Sequence, residues 1–154
     1  AGANLAIAVC LMCKQVEARM PAYELLIYPA TDYRLHYSSI EEFAQGYFLT
    51  KAGKQWFRDH FLEDESRAKD PIVSSMLADL SGLPESFVIT AGFDPLRDEG
   101  KAFADRLIEH GVACRHLCYT DMIHGFVSFA GGIPAGMDAL EEMGGELKRV
   151  LAEN

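Results

Sequence analysis

The sequence predicts an α/β fold, a mostly parallel sheet flanked by helices, on three observations. Helical and strand-like segments alternate in the order helix, strand, helices, strand, helix, strand, helix, which is typical of parallel sheets. The first two strand-like segments, residues 24–29 and 87–91, are short and largely apolar, as buried strands are. An acid and a histidine each follow a strand end, where open α/β sheets carry their functional groups.

The first helix is predicted from Ala3 to about Arg19, with almost no polar residue before Lys14. Such a helix is expected to be buried on all sides. It starts without a capping side chain, so its first amides need partners that this sequence does not supply.

Amphipathic helices are predicted between the first and second strands, at about residues 33–69. One starts at Ser38 and continues to Tyr47, and a second is capped by Thr50. The segment is rich in aromatic side chains, among them Phe43, Phe48, Trp56, Phe57 and Phe61. Helices inserted in this way often form a lid over a binding cleft. Ordinary packing helices are an equally good interpretation of the composition.

The second half of the chain continues the alternation. A helix, a strand and a final helix are predicted at residues 100–110, 112–119 and 135–151. Gly111 is predicted as the C-terminal cap of the first of these helices. Gly144 and Gly145 lower the helix propensity of the last one.

Charge and composition exclude several classes of partner. The 154 residues carry a net charge of −9, and the 14 basic residues are scattered, which argues against nucleic acid and anionic membranes. No apolar run approaches the roughly 18 residues that cross a bilayer. The apolar N-terminus lacks a basic leader and does not resemble a secretion signal.

The cysteines are predicted to fill the core rather than to bind metal or form disulfides. They are Cys10, Cys13, Cys114 and Cys118. The first pair has C-x-x-C spacing but lies in an apolar helical run, whereas zinc ligands usually lie on turns with polar neighbours. Reduced thiols in turn favour a cytoplasmic location.

Two loops carry the residues best suited to chemistry. Asp94 follows the second strand and precedes Pro95, which fixes the backbone after the carboxylate. His124 follows the third strand, and Gly125 lets the chain turn sharply there. An acid and a histidine so placed fit two members of a hydrolytic triad, in which the acid orients the histidine and the histidine takes a proton from a hydroxyl.

Less specific interpretations apply to the same residues. Asp94 could cap the following helix, as aspartate often does. Asp98 and Glu99 are interpreted as first-turn acids that favour the helix dipole. A lone loop histidine is more often a packing residue, so the pairing with Asp94 is what singles out His124 among five histidines.

The nucleophile that a triad needs is not found in this sequence. None of the serines lies in a G-x-S-x-G turn. The chain begins with Ala1-Gly2 before the apolar helix, and these residues match the last two of such a turn. We therefore expect the serine in a missing segment, directly before Ala1.

These motifs resemble the C-terminal half of α/β-hydrolases of the hormone-sensitive-lipase-like esterase family. The resemblance covers nearly the whole chain, and its last two motifs are the most specific. The matching motifs are Ala1-Gly-Ala-Asn-Leu-Ala6, Asp70-Pro71, Leu80-Ser-Gly-Leu-Pro84, Thr90-Ala-Gly-Phe-Asp-Pro-Leu-Arg-Asp-Glu-Gly100 and Met122-Ile-His-Gly-Phe126.

The resemblance implies the C-terminal portion of one α/β-hydrolase domain over residues 1–154, with a helical cap insertion at about 33–69 and its N-terminal portion missing. It implies that Asp94 is the triad acid, that His124 is the general base and that the Ala1 amide is one oxyanion-hole donor. The family's H-G-G-G loop, which supplies further oxyanion donors, is absent from this sequence.

The implied function is hydrolysis of carboxylic esters through an acyl-enzyme, without a metal or organic cofactor. The implied partners are a small-molecule ester and the missing N-terminal half, which would carry the serine and the oxyanion glycines. The family also suggests a homodimer paired through the strand at 112–119. The alternatives are a non-catalytic ligand-binding receptor and an inactive fragment, and the retained His124 argues against the receptor.

Overall fold

The computed structural model describes residues 1–153 of the chain. The helices and strands, in chain order, are α1 (Gly2–Gln15), β1 (Glu24–Ile27), α2 (Ser38–Glu42), α3 (Lys51–Phe61), β2 (Ser86–Phe93), α4 (Arg97–Glu109), β3 (Cys114–Ile123) and α5 (Pro134–Glu153). Short 3-10 helices cover Glu65–Lys69, Ser75–Leu77 and Phe126–Phe129.

The three strands form one parallel sheet in the order β1-β2-β3. Glu24 of β1 aligns with Ser86 of β2, which in turn aligns with Cys114 of β3. The predicted parallel α/β architecture is therefore confirmed. Because all three strands run in one direction, the loops after β2 and β3 meet at the same edge of the sheet.

Helices cover both faces of this sheet. Side chains of β2 alternate between the faces, as the pleat requires. Val88 packs in a cluster with residues of α1 and α4. Phe87, Ile89 and Ala91 pack in a second cluster with residues of α5. Seven of the eight residues of β2 are buried, and this explains its nearly continuous apolar sequence.

The prediction that the first helix is buried on all sides is wrong for the described residues. One face of α1 is buried, and it consists of Asn4, Ile7, Cys10 and Leu11. The opposite face is between 52% and 54% exposed at Leu5, Val9 and Met12. The sheet covers only one side of the helix, and within residues 1–153 the other apolar side stays open. The helix also ends at Gln15, before the predicted Arg19.

Several boundaries differ from the predicted ones. The helix α2 ends at Glu42 instead of Tyr47. The helix α4 starts earlier than predicted, at Arg97, and β3 continues to Ile123. The helix α5 runs through its two internal glycines, because its apolar face packs on the sheet and outweighs their low propensity.

Two other local predictions, both of helix caps, are confirmed. The Thr50 hydroxyl accepts a hydrogen bond from the Gly53 amide and caps α3. Gly111 follows α4 with a φ of +77°, as a C-terminal cap requires. All four cysteines are free, but core filling holds only for Cys10, since Cys13, Cys114 and Cys118 are partly buried. In the described chain, no helix is long and apolar enough to cross a membrane. The same residues form no cluster of three or more metal-ligating side chains.

Candidate active site

The structure brings Asp94 and His124 together at the carboxyl edge of the sheet. Nδ1 of His124 lies 2.7 Å from Oδ2 of Asp94. The Asp94 side chain is 1% exposed, whereas that of His124 is 21% exposed. Because an ionised carboxylate only accepts hydrogen bonds, the imidazole donates through Nδ1 and its other nitrogen stays available.

Asp94 also has the local role that aspartate commonly has before a helix. Its Oδ1 accepts a hydrogen bond from the Leu96 amide at 2.8 Å. The two carboxylate oxygens therefore serve two purposes, one holding the turn into α4 and one holding the histidine. The interpretation of Asp94 as the helix cap is wrong, because the N-cap of α4 is Leu96 and it has no side-chain hydrogen bond to the first turn.

A close approach between β2 and β3 fixes the loop that carries Asp94. A Cβ atom at Gly92 would lie 1.9 Å from the backbone oxygen of Thr120. The register shifts here, between Ala91 and Phe93. Only glycine fits such a contact, so the bulge that turns Asp94 toward His124 depends on this residue.

The turn after His124 also needs a glycine. Gly125 has a φ of +85°, in the left-handed region that favours glycine. A Cβ atom there would lie 3.2 Å from the Phe48 ring, and Phe48 in turn packs edge-on against Phe129. The histidine loop is thus packed against the segment that links α2 and α3.

An open cleft of about 460 Å³ extends from His124 toward α3. The residues that line it come from α1 and the residue before it, the loop after β1, the segment that links α2 and α3, α3, and the loops after β2 and β3: Ala1, Asn4, Leu5, Ala30, Asp32, Tyr33, Leu49, Lys54, Phe57, Arg58, His60, Phe61, Leu96 and His124. More than half of them are apolar. Of the predicted site residues, Ala1 and His124 line this cleft. Asp94 lies directly behind it, where it bonds to His124.

The cationic side chains in this cleft are already neutralised. Lys54 forms an ion pair with Glu99, and the side chains are 7% and 0% exposed. Arg58 pairs with Glu65 and donates from Nε to the Tyr33 carbonyl oxygen at 2.7 Å. With their charges compensated, these cations leave a cleft suited to an apolar ligand group.

The interpretation of Asp98 and Glu99 as first-turn acids is confirmed, and Glu99 has buried partners in addition. This carboxylate is fully buried, and besides Lys54 it accepts a hydrogen bond from the Thr31 amide at 2.9 Å. The first turn of α4 faces the loop after β1, so an acid there meets backbone donors rather than solvent. Asp98 accepts a hydrogen bond from the Ser39 amide at 2.9 Å, and this ties α2 to α4.

Asp32 lines the cleft, but it was not predicted from the sequence as a site residue. Asp32 is buried and binds Arg34 through both carboxylate oxygens, at 2.9 and 2.6 Å. Burial alone would raise its pKa, but the hydrogen bonds from Arg34 hold the pKa of Asp32 below its usual range. The sequence offered one signal, a Thr-Asp pair directly after a strand and a proline.

The remaining histidines lie outside the Asp94–His124 pair. His60 lies in the cleft, but its Nδ1 contacts the Trp56 carbonyl oxygen at 2.8 Å. His116 contacts the Thr90 hydroxyl at 2.9 Å, on β3. Both contacts fit the packing or surface roles that the sequence predicts for them.

Comparison with known proteins agrees with this architecture. Residues 1–128 match the model of a family described as having the alpha/beta hydrolase fold. The carboxylic ester hydrolase LipN of Mycobacterium tuberculosis is 37% identical over 91% of this chain and 40% of its own length. An arylesterase of Saccharolobus solfataricus is 33% identical over 82% of this chain and 42% of its own length.

Solved structures give the same result. A thermostable esterase from Pseudomonas putida ECU1011 superposes with a TM-score of 0.93 at 35% identity, covering 97% of this chain and 49% of that one. A thermostable carboxylesterase cloned from a metagenomic library gives 0.93 at 33% identity, covering 97% and 52%. The chain thus spans about half the length of the relatives it matches. By sequence and by structure, it belongs to the alpha/beta hydrolases, within the hormone-sensitive-lipase-like esterase family.

Proposed function

We propose that this chain supplies the acid and the base of a Ser-His-Asp triad to a carboxylic ester hydrolase. The observation that carries the proposal is the 2.7 Å contact between His124 Nδ1 and Asp94 Oδ2, with the acid buried and the imidazole reaching an open cleft. Burial strengthens the carboxylate's hold on the imidazole, because water does not compete for the hydrogen bond.

In the proposed reaction His124 takes the proton of a serine hydroxyl as the serine oxygen attacks the ester carbonyl carbon. The imidazolium then donates this proton to the leaving alkoxide, which departs as the alcohol and leaves an acyl-serine. Water repeats the sequence, with His124 again as base, and releases the carboxylic acid. Throughout, Asp94 holds the imidazole and stabilises its cationic form.

The serine is proposed to lie in a segment N-terminal to Ala1, together with glycine amides that complete the oxyanion hole. The relatives, which are about twice as long as this chain, support such a segment. The Ala1 amide is proposed as one oxyanion donor, because Ala1 lines the same cleft as His124. The segment at about 33–69 is proposed as part of a cap, since α3 forms one wall of that cleft.

The substrate is proposed to be a small ester with a short or medium acyl group. The mostly apolar cleft supports this, and so do relatives named carboxylic ester hydrolase and arylesterase. A cytoplasmic location is proposed from the free cysteines, and a homodimer paired through β3 is proposed from the family resemblance.

The experiment is ester hydrolysis by the full-length protein with His124→Ala, using a p-nitrophenyl ester series. We expect kcat to fall by about four orders of magnitude, as on loss of a triad member. The matched control is His60→Ala, which removes another imidazole of the same cleft and is expected to keep kcat within about threefold. Equal activity of the two variants would refute the proposal.

A further inference from the structure

Tyr28, which no motif in the sequence singles out, packs against the imidazole of His124. The two ring centroids are 4.4 Å apart, and the rings are tilted by 55°. The hydrogen bond to Asp94 fixes the imidazole at one nitrogen. The tilted contact with the tyrosine ring limits a second motion, the rotation of the imidazole away from the orientation in which its other nitrogen faces the cleft.

The backbone at Tyr28 is held in a conformation that its residue type disfavours. Its φ is +36°, in the left-handed region, which costs a side chain with a Cβ about 1–2 kcal/mol. Tyr28 also precedes Pro29, and the residue before a proline favours extended backbone. The conformation is maintained by a hydrogen bond from the Tyr28 amide to the Ile89 carbonyl oxygen at 2.6 Å. Strained backbone of this kind is concentrated at functional sites.

The Tyr28 side chain is fixed by further contacts at the edge of the sheet. Its ring centroid lies 6.2 Å from that of Phe126. Burial raises the pKa of the phenol, and a hydrogen bond with Ser128 opposes this shift. The tyrosine therefore reaches from the end of β1 to the 3-10 helix after His124, and the imidazole lies along this bridge.

We propose that Tyr28 is a positioning residue. It holds the imidazole of His124 in the orientation set by Asp94, so that the free nitrogen of the imidazole meets the nucleophile. This inference rests on the proposed function. The left-handed backbone at the end of β1 turns Tyr28 toward His124, and the rigid tyrosine ring then supports the imidazole. The ring acts on the histidine, and the backbone at Tyr28 and the contact with Phe126 place the ring, so the hydroxyl group is not needed for this role.

The test compares kcat and KM for substitutions of Tyr28 in the full-length protein. Tyr28→Leu removes the flat surface, and we expect kcat to fall between about tenfold and a hundredfold, as for a misplaced catalytic group. We expect KM to change by less than about threefold, because the substrate wall is untouched. Tyr28→Phe keeps the ring and is expected to retain kcat within about threefold.

The matched control is Tyr119→Leu. Tyr119 packs on Phe126 with centroids 4.9 Å apart, so it shares that neighbour of Tyr28. If Tyr28→Leu does not fold, Tyr28→Met takes its place, since methionine fills the volume with a flexible chain and offers no rigid face. Folded Leu or Met variants with the kcat of Tyr119→Leu would overturn the proposal.

A second readout is independent of turnover. The proton that His124 donates to Asp94 is expected to give a low-field resonance in ¹H NMR spectra, assigned by its loss in His124→Ala. We expect this resonance to broaden or shift in Tyr28→Leu and to be unchanged in Tyr28→Phe and Tyr119→Leu. An unchanged resonance in Tyr28→Leu would refute positioning by Tyr28. Absence of ester hydrolysis by the wild type, with a resonance that responds to Tyr28, would refute the proposed function alone.

Discussion

The two ends of the sheet each bury a carboxyl group, and the two groups differ in their hydrogen-bond partners. At the carboxyl end, Asp94 is 1% exposed and both oxygens have partners, the Leu96 amide and His124. At the amino end, Glu24 is 4% exposed, and its Oε1 has no hydrogen-bond partner among the described residues. Burial raises the pKa of Glu24, although hydrogen bonds with Cys10 and Ser86 oppose the shift.

The difference lies in the hydrogen-bond partners of the two carboxyl groups. A buried carboxylate needs hydrogen bonds to stay charged, and the protein supplies them where an oriented anion has a use. At Glu24 it supplies few, so this acid is held in its neutral form over a wider pH range. Burial with hydrogen-bond partners is not unique to Asp94, because Asp32 and Glu99 are also buried and bonded. What singles out Asp94 is that its partner is the imidazole of His124.

The largest effect is expected when the side chain of Asp94, at the carboxyl end of the sheet, is made neutral. We expect Asp94→Asn to lower kcat by about 10⁴-fold, because the amide neither stabilises the imidazolium nor keeps the right tautomer. The measurement is steady-state ester hydrolysis by the full-length protein. Asp98→Asn, four residues along the chain, is the control and should keep kcat within about tenfold. A kcat for Asp94→Asn that matches this control would mean that the buried pair has no catalytic role.

A second test disturbs the backbone that presents the acid. Gly92→Ala places a methyl group against the Thr120 carbonyl oxygen, 1.9 Å away before relaxation. We expect a loss of about 3 kcal/mol in the free energy of unfolding, since two adjacent strands must separate locally. Urea denaturation measures it. Gly131→Ala, where a Cβ would meet nothing within 4 Å, is the control, and equal losses for both would show that the strands do not constrain this position.

The smallest expected effect is at the other end of the sheet. Because the pKa of Glu24 is raised in the folded state, the native protein binds more protons than the unfolded one. The contribution of Glu24 to the free energy of unfolding is therefore fully present below the usual glutamate pKa of about 4.3. It is lost as the pH rises through the raised pKa of the folded state.

Glu24→Gln should remove the change in unfolding free energy with pH that Glu24 causes, a slope of at most about 1.4 kcal/mol per pH unit. Urea midpoints measured at a series of pH values give the slope for the wild type and the variant. The exposed Glu63→Gln should leave it unchanged. A slope that persists in Glu24→Gln would assign it to another group.

The sheet and the central pair of the site were predictable because their signals are local. A buried run that breaks at a glycine predicts the strand before Asp94, and His-Gly after an apolar segment predicts the loop of His124. Thr50 as a helix cap follows from its own position. Each of these depends on a few neighbouring residues, so a single sequence contains the information.

The rest of the site depends on contacts between distant segments. Lys54 and Glu99 are 45 residues apart, and neither has a neighbouring residue that indicates its partner. Tyr28 looks like a strand-end aromatic until the fold brings it to His124. The open face of α1 was missed for a related reason, since an apolar sequence predicts burial but not which neighbours provide it.

The ion pair between Lys54 and Glu99 has a consequence for motion. Lifting α3 from the cleft would leave Glu99 buried without its cation, which costs about 4 kcal/mol. An opened form would then be populated in on the order of one molecule in a thousand. On this scale α3 behaves as a fixed wall of the cleft, and the exposed rings of Phe57 and Phe61 belong to that wall.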